Sequence, residues 1–211
     1  MPKLTTKHKI LAAAVQLFNR DGLINVRLQQ IADESVVSIG NMTYHFRTKE
    51  IIVQAIWEEL VAQQQRMLAE FRIVPLFEDI ERQIQSAFQL QQQYVFFYLD
   101  TLEVIRAFPN IRDLHRQHIQ WQVQQIETMI HFNTSRGVFV INNSNCNENQ
   151  LAQQYWMTCD MWLNRQATLG NDLSQFKPFR DALWALLTPY MTDMGRMEFR
   201  QLNELILKEL I

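Results

Sequence analysis

The sequence predicts an all-α fold, and three observations carry that prediction. Apolar residues recur at helical spacing along most of the 211-residue chain. Only five glycines and five prolines punctuate it, which favours long helices over a many-turned β architecture. The 47% of apolar residues is ample for a packed core, and the length suits one or two domains.

A first helix is expected within Lys7 to Gly22, because Ile10, Ala13, Ala14, Leu17 and Phe18 form one apolar stripe and Gly22 stands where a C′ residue closes a helix. A second, short helix follows Arg27, with Leu28, Ile31 and Ala32 packing and Gln29, Gln30, Asp33 and Glu34 facing water. Ser35-Val36-Val37 breaks the pattern, and Ser38 is an N-cap candidate for a third helix from Ile39 to about Tyr44. The exposed side of that helix, with Gly40, Asn41, Thr43, Tyr44 and His45, is small, polar and aromatic, and carries no charged residue until Arg47. Such a surface suits a DNA groove, where small residues permit close approach and flanking groups hold phosphates. Thr48 then reads as the cap of a long fourth helix, with Lys49 beside its unpaired N–H groups as a phosphate clamp. The run from Arg27 to Glu50 has the outline of a DNA-reading helix-turn-helix.

Residues 7 to 57 resemble the DNA-binding domain of the TetR family of bacterial transcriptional regulators. The resemblance rests on Ile10-Leu11-x-Ala13-Ala14-x-x-Leu17-Phe18-x-x-x-Gly22, then Ile31-Ala32, Val37-Ser38-x-Gly40 and Tyr44-His45-Phe46-x-x-Lys49-Glu50, in order and at matching spacing. It implies an all-helical protein with three N-terminal helices on operator DNA, residues 1 to 50, and a larger helical part, residues 51 to 211, that senses a small-molecule effector and forms a homodimer. Asn41 and Tyr44 are the first choices for base or sugar contacts, with Ser38, Gly40 and Thr43 beside them and Arg27, His45, Thr48 and Lys49 positioning the backbone. Three positions depart from the family pattern. Arg27 replaces the usual hydroxyl cap, leaving Asn25 as a substitute; Val36 replaces the glycine of the turn, which argues against a positive φ there or else implies strain; Thr43 replaces the first of two aromatics.

Beyond residue 50 further helices are expected. The fourth runs from Thr48 to about Arg72 and the fifth from Pro75 to the glutamines at 91 to 93. A sixth spans Tyr94 to Phe108 and ends at Pro109; a seventh opens on an Asn110–Asp113 capping arrangement and reaches about Phe132. Asn133 to Asn149 reads as a loop containing a short extended segment at Val138 to Ile141. Two strongly apolar helices follow, about Gln150 to Leu169 and Phe176 to Met194, then a shorter one from Met197 to Leu210.

The dimer implied by the resemblance would use the apolar excess of Tyr155, Trp156, Trp162, Phe179, Leu183, Leu187 and Tyr190. Phe96, Phe97, Trp121, Met129, Phe132, Met157 and Met161 are the candidate lining of an effector pocket, because aromatic and Met side chains surround apolar ligands. His115 and His118 stand three apart and could form a two-point metal site, with exposed helical histidines the plainer account. No metal or cofactor is assigned.

Charge supports the division of labour: residues 1 to 50 hold seven Lys and Arg against four Asp and Glu, the remainder thirteen against eighteen. Cys146 and Cys159 suggest reduced cytosolic thiols rather than a disulfide framework, no secretory signal is expected, and no apolar run approaches a membrane span, so the expected location is the cytoplasm. No G-x-S-x-G elbow, P-loop or dinucleotide glycine pattern argues for an enzyme. A helical adaptor with a silent helix-turn-helix, or an enzyme with a cryptic catalytic cluster, are the alternatives.

Overall fold

In the computed structural model the described residues are 5–69, 74–141 and 146–209. They form eleven α-helices: α1 (Thr6–Asp21), α2 (Leu28–Glu34), α3 (Ile39–His45), α4 (Lys49–Ala69), α5 (Phe77–Gln93), α6 (Val95–Ala107), α7 (Pro109–Ser135), α8 (Glu148–Asp160), α9 (Trp162–Thr168), α10 (Phe176–Leu187) and α11 (Asp193–Glu209). The all-α fold is as the sequence predicts. No helix among the described residues is long and apolar enough to cross a membrane. The expected ends of the fourth helix at Arg72 and the last at Leu210, and loop residues 142–145, lie outside the described residues.

The chain divides into two compact units, one from residues 1–63 and 90–115, the other from 64–89 and 116–211. In the first, α1 buries the predicted stripe of Ile10, Ala13, Ala14, Leu17 and Phe18. Phe18 packs against Phe96 of α6 with ring centroids 5.2 Å apart. Each such buried ring stabilises the unit by about 1.5–3 kcal/mol. Asn19 ties the same elements by hydrogen bonds: its amide donates to the Gln93 carbonyl and its oxygen accepts from the Phe96 N–H, both at 2.9 Å. The α6 helix is bent at Asp100, whose backbone leaves helical geometry.

The second unit is built on an aromatic core in which Phe77 lies 5.4 Å from Phe139 and 5.3 Å from Trp184. Glu81 anchors it, accepting from Arg180 Nε at 2.6 Å and from Trp184 Nε1 at 2.7 Å. Both carboxylate oxygens are thereby used, which is what a largely buried ion pair needs to offset its desolvation.

Several expected boundaries change here. The seventh helix begins at Pro109, which suits a first helical position, so Asn110 lies inside it rather than capping it. It continues to Ser135 because Asn133, expected in the loop, donates from its buried amide to the carbonyls of Pro75 and Met129. The apolar run from Gln150 to Leu169 is two helices, α8 and α9, separated at Met161. The run from Phe176 to Met194 stops at Leu187: Pro189 sits in a single 3₁₀ turn, Thr188–Tyr190, and Met191 is extended and bridged antiparallel to Phe139. The expected extended segment at Val138 to Ile141 is realised in that bridge, with Val140 N–H donating to the Tyr190 carbonyl at 2.8 Å. Thr192 then accepts from the Gly195 N–H, so α11 starts earlier than Met197. Gly195 is required sterically, since a Cβ there would stand 2.2 Å from the Val138 carbonyl oxygen.

Candidate nucleic-acid interface

The α2–turn–α3 segment is set by local hydrogen bonds that the sequence partly announces. At the start of α2 the guanidinium of Arg27 cannot accept a hydrogen bond, and the cap comes instead from Gln30, whose side-chain oxygen accepts from the Arg27 N–H at 2.7 Å. Asn25, expected to stand in as the cap, donates to the Asp21 carbonyl at the end of α1. This frees Arg27, which is exposed.

Helix α2 ends in a Schellman arrangement: the Val36 N–H reaches the Asp33 carbonyl at 3.1 Å and the Val37 N–H the Ala32 carbonyl at 3.0 Å. Val36 occupies the left-handed position of that motif at φ +55° and is 92% exposed. Of the two outcomes the sequence left open at Val36, the structure has the strained one. A β-branched residue in that region costs about 1–3 kcal/mol, and no packing of its side chain offsets it.

Helix α3 is anchored by one face and free on the other. Ser38 caps it, accepting from the Asn41 N–H at 3.3 Å, and Met42 and Phe46 are buried. At 100° per residue, the direction opposite Met42 falls between Gly40 and Tyr44, with Asn41 and His45 on one flank and Ile39 and Thr43 on the other. A Cβ at Gly40 would meet nothing within 4 Å. The Tyr44 ring, 81% exposed, stands edge-on to His45 at 5.1 Å. The Asn41 amide and the Tyr44 hydroxyl make no hydrogen bond among the described residues. The Thr43 hydroxyl is turned back onto its own helix, at 2.9 Å from the Ile39 carbonyl and 3.0 Å from that of Gly40.

Thr48 caps α4 as expected, accepting from the Ile51 N–H at 3.3 Å. Lys49 does something the sequence did not announce. Its ammonium donates to the carbonyls of Leu23, Ile24 and Val26 at 2.8, 3.2 and 3.0 Å, using all three of its protons. Burial lowers its pKa from the ordinary value, an effect that Glu103 opposes. Lys49 therefore braces the α1–α2 connection, and a phosphate would have to compete with three carbonyls for it.

The other candidate residues separate. Phe96 and Phe97 belong to the first unit, Phe97 lying edge-on to His115 at 5.4 Å; Trp121, Met129, Phe132, Met157 and Met161 belong to the second. Trp121 stacks on His118, which is hydrogen-bonded to Gln64 at 2.7 Å, and Met129 is fully buried. Met157 and Met161 are 50% and 43% exposed and line an open hollow of about 570 Å³ with Thr158, Trp162, Arg165 and Ala182. Tyr155, Trp162, Phe179, Leu183 and Leu187 are buried within their own unit; Trp156 and Tyr190 are half-buried. Among the described residues, buried donors or acceptors with no hydrogen-bond partner include Trp57 Nε1 and His115 Nδ1, both in the first unit. Periodicity marks neither, since both sit on helices as ordinary core members. Among the described residues no group of three or more His, Cys, Asp or Glu is placed to hold a metal ion.

Comparison with known proteins agrees with this geometry. Residues 10–56 match the family model of bacterial regulatory proteins of the tetR family, and residues 57–199 match that of the TetR bacterial transcriptional repressor. The HTH-type transcriptional regulator UidR of Escherichia coli K12 is 34% identical over 67 residues, so the alignment spans 32% of this chain and 33% of that relative. A TetR-family transcriptional regulator from Marinobacter aquaeolei VT8 superposes with a TM-score of 0.84 at 24% identity, over 95% of this chain and 98% of that one. A putative transcriptional regulator from Saccharomonospora viridis in complex with choline superposes at 0.66 with 24% identity, over 84% and 92%.

Proposed function

Because the chain belongs to the TetR family of bacterial transcriptional regulators, we propose that it acts as a homodimeric, ligand-responsive repressor on a near-palindromic operator. Regulators of this family are DNA-binding transcription factors rather than enzymes. The observation that carries the reading is the two-sided construction of α3: Met42 fixes it from within, while Gly40 has open space around it and the side chains of Asn41 and Tyr44 stand exposed with no hydrogen bond among the described residues. Glycine in place of alanine costs about 0.5–1 kcal/mol in mid-helix, an upper bound for Gly40 in the first turn of α3. Nothing around Gly40 requires that cost, whereas a groove floor approaching the helix does.

In this reading Asn41 and Tyr44 contact bases or sugars, Ser38, Gly40 and Thr43 line the approach, and Arg27, His45 and Thr48 hold phosphates. Lys49 positions the α1–α2 connection from inside. Two recognition helices in a dimer enter successive major grooves about 34–36 Å apart. The exposed Met157 and Met161 and the hollow they line with residues of α8, α9 and α10 support a subunit contact there. In this reading the effector contacts the first unit near Phe97 and His115, because a buried nitrogen with no hydrogen bond among the described residues is rare in a finished core and a ligand would satisfy it. The choline complex of the Saccharomonospora protein supports a small-molecule effector. Effector control then equals the difference in its affinity for the two dimer spacings.

Purified protein titrated with duplex fragments of its own upstream region is expected to bind with an affinity that falls steeply with salt, as counterion release requires. No salt-dependent binding to any fragment overturns the reading.

A further inference from the structure

The outward groups of α3 point to an operator whose recognition core is built of A·T pairs, with Asn41 on adenine and Ile39 on a thymine methyl. The inference rests on the DNA-binding reading above and goes beyond it to the bases read.

Each base pair shows the major groove a distinct pattern of donors, acceptors and methyl groups, so the side chains on offer restrict the bases that can be matched. Guanine presents two acceptors, O6 and N7, which are best met by two donors on one Arg or Lys. Neither residue occurs from Gln29 to Phe46; Arg47 follows Phe46, where the backbone has already left the helix for an extended conformation. Cytosine presents an amino donor best met by a carboxylate, and α3 carries none. Adenine presents an acceptor at N7 beside a donor at N6, and a side-chain amide offers the complementary donor and acceptor. Asn41 is the amide on α3; it is exposed, and its side chain makes no hydrogen bond among the described residues.

The apolar side agrees. Ile39 is 41% exposed at the first position of α3, and Val36, in the turn just before it, is almost wholly exposed. A thymine methyl is the groove feature that such side chains match. Thr43 cannot supply a competing polar contact with its hydroxyl proton, which is directed at the helix carbonyls. Tyr44 and His45 can each add single hydrogen bonds without the two-point match that discriminates one base from another.

The test uses the full chain. Duplexes selected from a random pool are expected to share half-sites with adjacent A·T pairs at the centre of the protected region. Replacing the critical thymine by deoxyuridine removes only a methyl group and should weaken the wild-type protein several-fold while leaving Ile39→Ala indifferent. Replacing the critical adenine by 7-deazaadenine removes one acceptor and should cost wild type about tenfold, within the range for a bidentate base contact, and leave Asn41→Ala unaffected. The base analogues leave the protein untouched, so misfolding cannot imitate the result. Salt-dependent binding to half-sites with a G·C core, or indifference of the wild type to both analogues, overturns the base assignment alone. A pool that yields no salt-dependent binding overturns the DNA-binding reading as well.

Discussion

Helices α2, α7 and α9 end in the same pair of hydrogen bonds but with different residues at the left-handed position. At the end of α7, Gly137 N–H meets the Thr134 carbonyl and Val138 N–H the Asn133 carbonyl; at the end of α9, Gly170 and Asn171 do the same with Ala167 and Gln166. Both use glycine, at φ +78° and +70°. The α2 terminus places Val36 at φ +55° in the equivalent position. Glycine reaches this region without steric cost, and valine does not. The unfavourable conformation is thus confined to the turn that sets the angle of α3, where the valine side chain is in water. Turns that only close a helix are relaxed.

Four substitutions test this difference, each read from a denaturant midpoint and the last from duplex binding as well. The largest effect is expected from Gly137→Val, which should destabilise by about 2–3 kcal/mol, since it adds the strain of a β-branched residue at positive φ to crowding. Its Cβ would meet the Met194 methyl at 3.5 Å, an ordinary contact, which leaves the crowding to the two γ-methyl groups beyond it. Gly170→Val has open space around it, so the backbone term acts by itself and the loss should be about 1–2 kcal/mol. If the two losses are equal, crowding at Gly137 is not a factor. Val36→Gly should raise stability by about 1 kcal/mol, the strain relieved being partly offset by the greater freedom of glycine in the unfolded chain. A lower midpoint would mean that Val36 is not strained. Gly40→Ala should raise stability by at most about 0.5–1 kcal/mol and weaken duplex binding at the same time. Gain in both stability and binding would show that the bare backbone at Gly40 serves no close approach.

The lengths and order of the N-terminal helices were legible because their signals are local. The stripe from Ile10 to Phe18, the Ser38 and Thr48 hydroxyls and the terminating Gly22 each act within a few residues, and the structure places them as read. The outward face of α3 was legible for the same reason, since burying Met42 decides where Gly40, Asn41 and Tyr44 point. Local reading failed where two local solutions compete: Gln30 rather than Asn25 completes the start of α2, because a side chain three residues ahead reaches the Arg27 N–H directly. It failed again at the boundaries of the apolar C-terminal helices, where Gln150 to Leu169 is two helices and the run from Phe176 stops at Leu187. Periodicity measures how much apolar surface a helix carries and says nothing of whether its own chain or a second one covers it.

What the sequence alone determined is therefore the all-α class, the helix-turn-helix and the identity of its exposed side chains, all consequences of hydrogen bonds and periodicities that close within a few residues. The tertiary structure decided the rest. Lys49 became a brace because carbonyls 23 to 26 residues away converge on its ammonium. The helix expected through Met194 stopped because Met191 pairs with Phe139, and Gly195 is needed because the Val138 carbonyl comes up against it. Phe179 became core because the rings of Phe88 on α5 and Trp162 on α9 meet it, and Tyr155, Leu183 and Leu187 are buried in the same unit. Such contacts depend on which surfaces meet after the helices form, and that meeting is written in no single stretch of the chain.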